Sequence, residues 1–120
     1  MGIHTMMPPT YLNNLAKRAH NTAVAHGFDD EDPWASFPTK IALLHSELSE
    51  ALEEWRDYKN VIYFNTDKPD KPEGIGAELA DVLIRLVDLA YTLNVDLDHI
   101  VGLKMKYNQG RPWKHGGKRA

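Results

Sequence analysis

The sequence predicts an all-α protein with a four-helix, bundle-like core, completed by association with further copies of itself. Three observations predict it. Four stretches repeat apolar residues every three or four positions, proline or glycine punctuates the joins, and the connections are short. The 120 residues suit one domain, 1–120, with a helical core over about 10–109 and a basic tail over 110–120.

Composition narrows the class further. A chain of this length buries roughly 65% of its unfolded surface and needs no cross-link. It has no cysteine, which removes disulfides, thiolate zinc sites, iron–sulfur clusters and cysteine nucleophiles together. Its 42% hydrophobic content is too high for a disordered chain. The longest apolar stretch, Val82 to Leu93, is broken by Arg85 and Asp88, so no membrane span is expected. Met1 to Thr5 carries no basic patch followed by an apolar block, and a cytoplasmic location is the expectation.

The first helix is expected from about Thr10 to His26. Pro8 and Pro9 precede it, Thr10 can cap it, Gly27 can end it, and Leu12, Leu15, Ala16, Ala19 and Ala23 form its apolar stripe. A loop from Phe28 to Phe37 follows. The second helix is expected from about Pro38 to Asp57, because proline costs nothing in a first turn. Its residues Ile41, Leu44, Leu48, Ala51, Leu52 and Trp55 fall within a sector of about 100°. From Tyr58 to Gly76 the helical pattern stops. Val61 to Phe64 reads as an extended edge or packed loop, before a connection rich in proline and aspartate.

The third helix, from about Ile75 to Leu93, is apolar around most of its circumference. Glu78, Asp81, Arg85, Asp88 and Thr92 occupy the remaining sector of about 80°, so the helix is expected to be buried on most sides. Three partner helices of one chain do not easily cover it, and a second subunit is the expected cover. The fourth helix is expected from about Leu97 to Gln109, capped by Asp96.

Helix two carries Glu47, Glu50 and Glu54 on one side, and helix three carries Glu78 and Asp81 one turn apart. Like charges at this spacing destabilise a helix by about 0.2–0.5 kcal/mol per pair, and by more when they lose water. If the two helices pack, the carboxylates converge, and a cation resolves the repulsion. All-oxygen ligands select Mg²⁺, Mn²⁺ or Ca²⁺. Arg85, one turn after Asp81, could neutralise Asp81 or Asp88. A di-iron bundle needs two Glu-x-x-His pairs. Only Asp96-x-x-His99 resembles one, so that chemistry is set aside. His45 reads as a packing or supporting residue, and His4, His20 and His26 as surface residues.

The charge is asymmetric. After Asp98 there is no acid, but there are Lys104, Lys106, Arg111, Lys114, Lys118 and Arg119, which leaves 8 basic residues against all 17 acidic ones before that point. Lys104, Asn108 and Arg111 share one side of helix four and its continuation. Guanidinium forks and ammonium groups both suit phosphate oxygens. Carboxylates that hold a divalent cation, joined to donors that hold phosphates, describe phosphoanhydride chemistry.

The segments His45-Ser-Glu-Leu-Ser-Glu-Ala-Leu-Glu53 and Pro72-Glu-Gly-Ile-Gly-Ala-Glu-Leu-Ala-Asp-Val-Leu-Ile-Arg85 together resemble the signature of the MazG-like all-α nucleotide pyrophosphohydrolases. The tail Lys104-Met-Lys-Tyr-Asn-Gln-Gly-Arg111-Pro, with Lys114-His-Gly-Gly-Lys118, is similar to the end of short members, so the resemblance covers roughly 38–120. It implies homodimers or homotetramers and Mg²⁺-dependent cleavage of nucleoside triphosphates to a monophosphate and pyrophosphate, with Mn²⁺ as a substitute. It implies that Glu47, Glu50, Glu78 and Asp81 hold metal, and that Glu50 or Glu47 takes a proton from the attacking water. Lys104, Asn108 and Arg111, with Lys114 and Lys118, would contact phosphates. The excursion at 58–74 departs from the shortest members.

For the base, Trp34 and Phe37 are the candidate stacking residues, while Trp55 lies on the apolar stripe and is expected in packing. The expected ligand is a nucleotide, with no membrane and no nucleic-acid partner. Two other readings use the same features: a hydrolase of alarmones or nucleoside diphosphates with this metal site, and a non-catalytic dimerising helical module with a basic tail.

Overall fold

The computed structural model describes residues 10–28, 32–57 and 60–113. The order is α1 (Tyr11–Ala25), α2 (Pro33–Arg56), β1 (Tyr63–Asn65), β2 (Lys68–Glu73), α3 (Ile75–Thr92) and α4 (Leu97–Gln109). The chain is thus mostly helical, with one short antiparallel hairpin. No helix among the described residues is long and apolar enough to cross a membrane.

Helix α1 keeps its expected stripe, with Ala16 buried and Leu12, Leu15, Ala19 and Ala23 half-buried. Its cap differs from the expectation. Thr10 makes no side-chain cap bond. The carboxylate of Asp98 on α4 does the work instead, accepting from the backbone N–H groups of Leu12 at 3.1 Å and Asn13 at 3.0 Å. Asn13 completes the junction: its Nδ2 donates to Asp96 and its Oδ1 accepts from the Leu97 N–H. A full carboxylate at the positive end of a helix outbids a neutral hydroxyl. Gly27, at φ +90°, ends the α1 turn as expected.

Helix α2 starts at Pro33 rather than Pro38, because Asp32 caps it by accepting from the Ala35 N–H at 3.2 Å and Pro33 takes the first position. Trp34 and Phe37 are therefore helical, not in a loop. Pro38 sits inside the helix and cannot donate to the Trp34 carbonyl.

The excursion between α2 and α3 is the β1–β2 hairpin, with Tyr63 opposite Glu73 and Asn65 opposite Lys68. Pro69 and Pro72 are tolerated because both strands are edges. Gly74 joins β2 to α3 at φ +105°, where a Cβ would lie 2.5 Å from the Val61 carbonyl oxygen. Only glycine fits that conformation and that approach. The Gly76 N–H then donates to the same carbonyl at 2.9 Å, which fixes where α3, and hence Glu78, begins.

Helix α3 packs between α1 and α2, and α4 packs chiefly on α1. Val87, Leu89 and Ala90 of α3 are buried. The expectation that α3 is covered on most sides fails within one chain: Leu79, Leu83, Ile84 and Leu86 are each 43–51% exposed. It meets α1 and α2 through the buried Val87, Leu89 and Ala90 and through Arg85 and Asp88 of its polar strip, and the rest of its apolar surface stays open. Trp55, expected in packing, is likewise exposed. Among the described residues there are four helices, and they do not close into a bundle.

Candidate metal centre and adjoining groove

Glu47, Glu50 and Glu78 each offer a carboxylate oxygen to one cluster whose members lie within 4.8 Å of one another. One turn of α2 separates Glu47 from Glu50, so the two share a side, and α3 brings Glu78 to them from across the helix interface. Glu78 Oε2 is buried with no hydrogen-bond partner. Burial first, and then the neighbouring carboxylates of Glu50 and Glu47, push the Glu78 carboxyl up to about 7. An orphaned carboxylate oxygen beside two more carboxylates fits a hard divalent cation, and the donor set contains no soft ligand.

Of the other acids proposed for this face, Asp81 stands outside that trio but within electrostatic reach. Burial raises its carboxyl most, Glu47 raises it further, and Arg85 and Lys71 oppose the rise. Glu54 is engaged elsewhere, accepting from the Tyr63 hydroxyl at 3.0 and 3.1 Å. Arg85 Nε donates to Glu47 Oε1 at 2.9 Å, so its partner is on α2 rather than Asp88 on its own helix. Asp88 pairs with His20 Nδ1 at 2.9 Å, and the His20 ring lies 4.7 Å from that of Tyr91. His20 is thus half-buried between α1 and α3 and not a plain surface residue. Nothing local in the sequence signals this pair, because its partners are remote along the chain. His45 is exposed.

A groove of about 810 Å³ opens beside the cluster, with Glu47, Asp81 and Arg85 in its wall. Arg18 and His26 of the α1 region and Lys40 of α2 add donors, and Leu15, Phe28 and Leu43 add apolar wall. Neither Arg18 nor Lys40 belongs to a motif in the sequence. Their signal was available: cations are scarce in the first 98 residues.

Among the described residues, the expected phosphate-binding side chains Lys104, Asn108 and Arg111 are not brought to the cluster. Lys104 Nζ lies 5.5 Å from the centre of the Tyr107 ring, and Arg111 lines a separate cavity of about 470 Å³ with Lys106 and Tyr107. Asn108 is exposed on the same helix. Lys114 and Lys118 lie outside the described residues, as does His4. The expected stacking residues, Trp34 and Phe37, contact each other at a ring distance of 5.9 Å and do not line the groove.

Comparison with family models, with curated proteins and with solved structures returns no match to this chain.

Proposed function

We propose that the protein is a Mg²⁺-dependent, MazG-like nucleoside triphosphate pyrophosphohydrolase, cleaving NTP or dNTP to a monophosphate and pyrophosphate. The carrying observation is the three-carboxylate cluster from two helices, with an orphaned Glu78 oxygen, at the edge of a donor-lined groove. Glu47, Glu50 and Glu78 would hold the cation, with Asp81 beside them. A bound divalent ion neutralises phosphate charge and acidifies water. Glu50, the exposed member of the trio, would accept the proton of the attacking water. The groove receives the nucleotide, with Leu15, Leu43 and Phe28 against its apolar part and Arg18, Lys40 and Arg85 toward its phosphates.

The working unit in this reading is a homodimer or homotetramer. A contiguous row of exposed leucines on α3 is not a stable end state in water. A second copy covers it and carries α4, with Lys104, Asn108 and Arg111, toward the acidic face of the first. The opposite charge of the two faces favours that docking.

The test is incubation with a panel of common and modified nucleoside triphosphates and Mg²⁺, with the products identified. Pyrophosphate and a monophosphate are expected from at least one. No release from any, or release of orthophosphate alone, rejects the assignment.

A further inference from the structure

Arg85 occupies the seam between the carboxylate cluster and the groove. Its Nε is committed to Glu47 Oε1 at 2.9 Å. Glu47 is well covered, with 13% of its side chain exposed, whereas 47% of the Arg85 side chain is open, and it lines the groove. Among the described residues this is its one hydrogen bond. A guanidinium has five N–H donors in a rigid fork. One is used on Glu47, and the two terminal amino groups remain for another oxyanion. A carboxylate has capacity in turn: Glu47 can accept from Arg85 on one oxygen and still offer a lone pair to a cation.

Arg85 bonds one acid of the cluster, Glu47, and acts on Asp81, yet about half of its side chain stays open where it lines the groove. The cation density there continues into Arg18 and Lys40 on two other elements. We propose that Arg85 couples the metal centre to its ligand: Nε holds the Glu47 carboxylate in place, while the terminal amino groups bind a phosphate oxygen of a ligand lying in the groove. The ligand class is a polyphosphate ester or anhydride, read jointly by the cation and the fork. Arg85 is a positioning residue for Glu47 and a direct contact for the phosphate. This inference rests on the metal-centre reading above and adds to it a residue through which metal and ligand affinities become linked.

The two roles separate by experiment. Mn²⁺ binding is measured by paramagnetic resonance, and binding of the Mn²⁺–tripolyphosphate complex by calorimetry, for the full chain, Arg85→Gln, Arg85→Lys and Glu78→Gln. Arg85→Gln keeps a donor for Glu47 but loses the charge and the fork. It should change Mn²⁺ affinity by less than about threefold while weakening tripolyphosphate at least about tenfold. Arg85→Lys should recover only part of that loss, because an ammonium is a point charge and not a fork. Tripolyphosphate bound as tightly by Arg85→Gln as by the full chain overturns the proposal. So does parallel loss of both affinities, which marks a merely structural arginine. Failure of the metal-centre reading looks different: the unaltered chain would bind no Mn²⁺, or Glu78→Gln would bind it equally well.

Discussion

The facing sides of α2 and α3 and the outer side of α4 are the two charged surfaces of this protein, and they are built in opposite ways. On the first, like charges are forced together: Glu47, Glu50 and Glu78 converge, and Glu78 is left with a buried, unpartnered oxygen. On the second, the cations are spread along an exposed helix, one of them resting over Tyr107. Repulsion concentrated in a partly desolvated place costs free energy, and it persists where something outside the chain resolves it. Cations dispersed in water cost nothing and by themselves imply no ligand. On the proposed reading the chemistry belongs to the α2–α3 face, and α4 would serve it from a second copy.

The largest effect expected is at the crowded face. Glu78→Gln should lower Mg²⁺-dependent turnover by about a thousandfold. Its metal-free melting temperature should stay level or rise, because one repelling charge is gone. A fall in both marks Glu78 as a packing residue.

Mixing chains sharpens the contrast. Glu78→Gln and Lys104→Ala, each weak alone, should recover about a quarter of full activity when co-refolded, because a two-fold dimer with shared sites has one intact site per heterodimer. No recovery would mean that α4 does not serve the partner's carboxylates.

Gly74→Ala should cost about 2 kcal/mol, or roughly 8 °C in melting temperature, because a Cβ at that φ meets the Val61 carbonyl. An unchanged melting temperature would show that the hairpin does not set the start of α3.

At the base of α4, Asp98→Ala should cost about 1 kcal/mol and Thr10→Ala only a few tenths, since the carboxylate and not the hydroxyl caps α1. Equal costs in chemical denaturation would reverse that assignment.

A separate effect is a dependence of stability on pH. Glu78 releases its proton near 4.5 when unfolded and near 7 in the fold, so between those values the folded state holds more protons. Metal-free stability therefore falls as pH rises from about 5 to 7, and Asp81, also raised, adds in the same sense. Saturating Mg²⁺ should flatten that slope, since cation binding favours the ionised form. A slope indifferent to Mg²⁺ in thermal melts would separate the cluster from metal.

Much of this was legible in the residues. The starts and ends of α1, α3 and α4, the Asp96 cap and the pairing of Glu47 with Glu50 all follow from helical period and capping chemistry. The N-terminus of α2 did not, because Pro33 and Pro38 are both plausible first-turn prolines and only the Asp32 bond to Ala35 decides between them. The hairpin was half legible: Val61 to Phe64 read as an extended edge or packed loop, of which only Tyr63 and Phe64 lie in β1, and the strand that pairs with it is rich in proline and charge and carries no strand signature.

The sequence by itself determined which side chains share a helix face, because a period of 3.6 residues is a local property of the backbone. Which faces meet is not local. Arg85 turning to Glu47, His20 finding Asp88 and Asp98 capping α1 each join positions remote along the chain. The tertiary structure alone decided them, because they depend on how whole helices cross and where a hairpin and one glycine set the register.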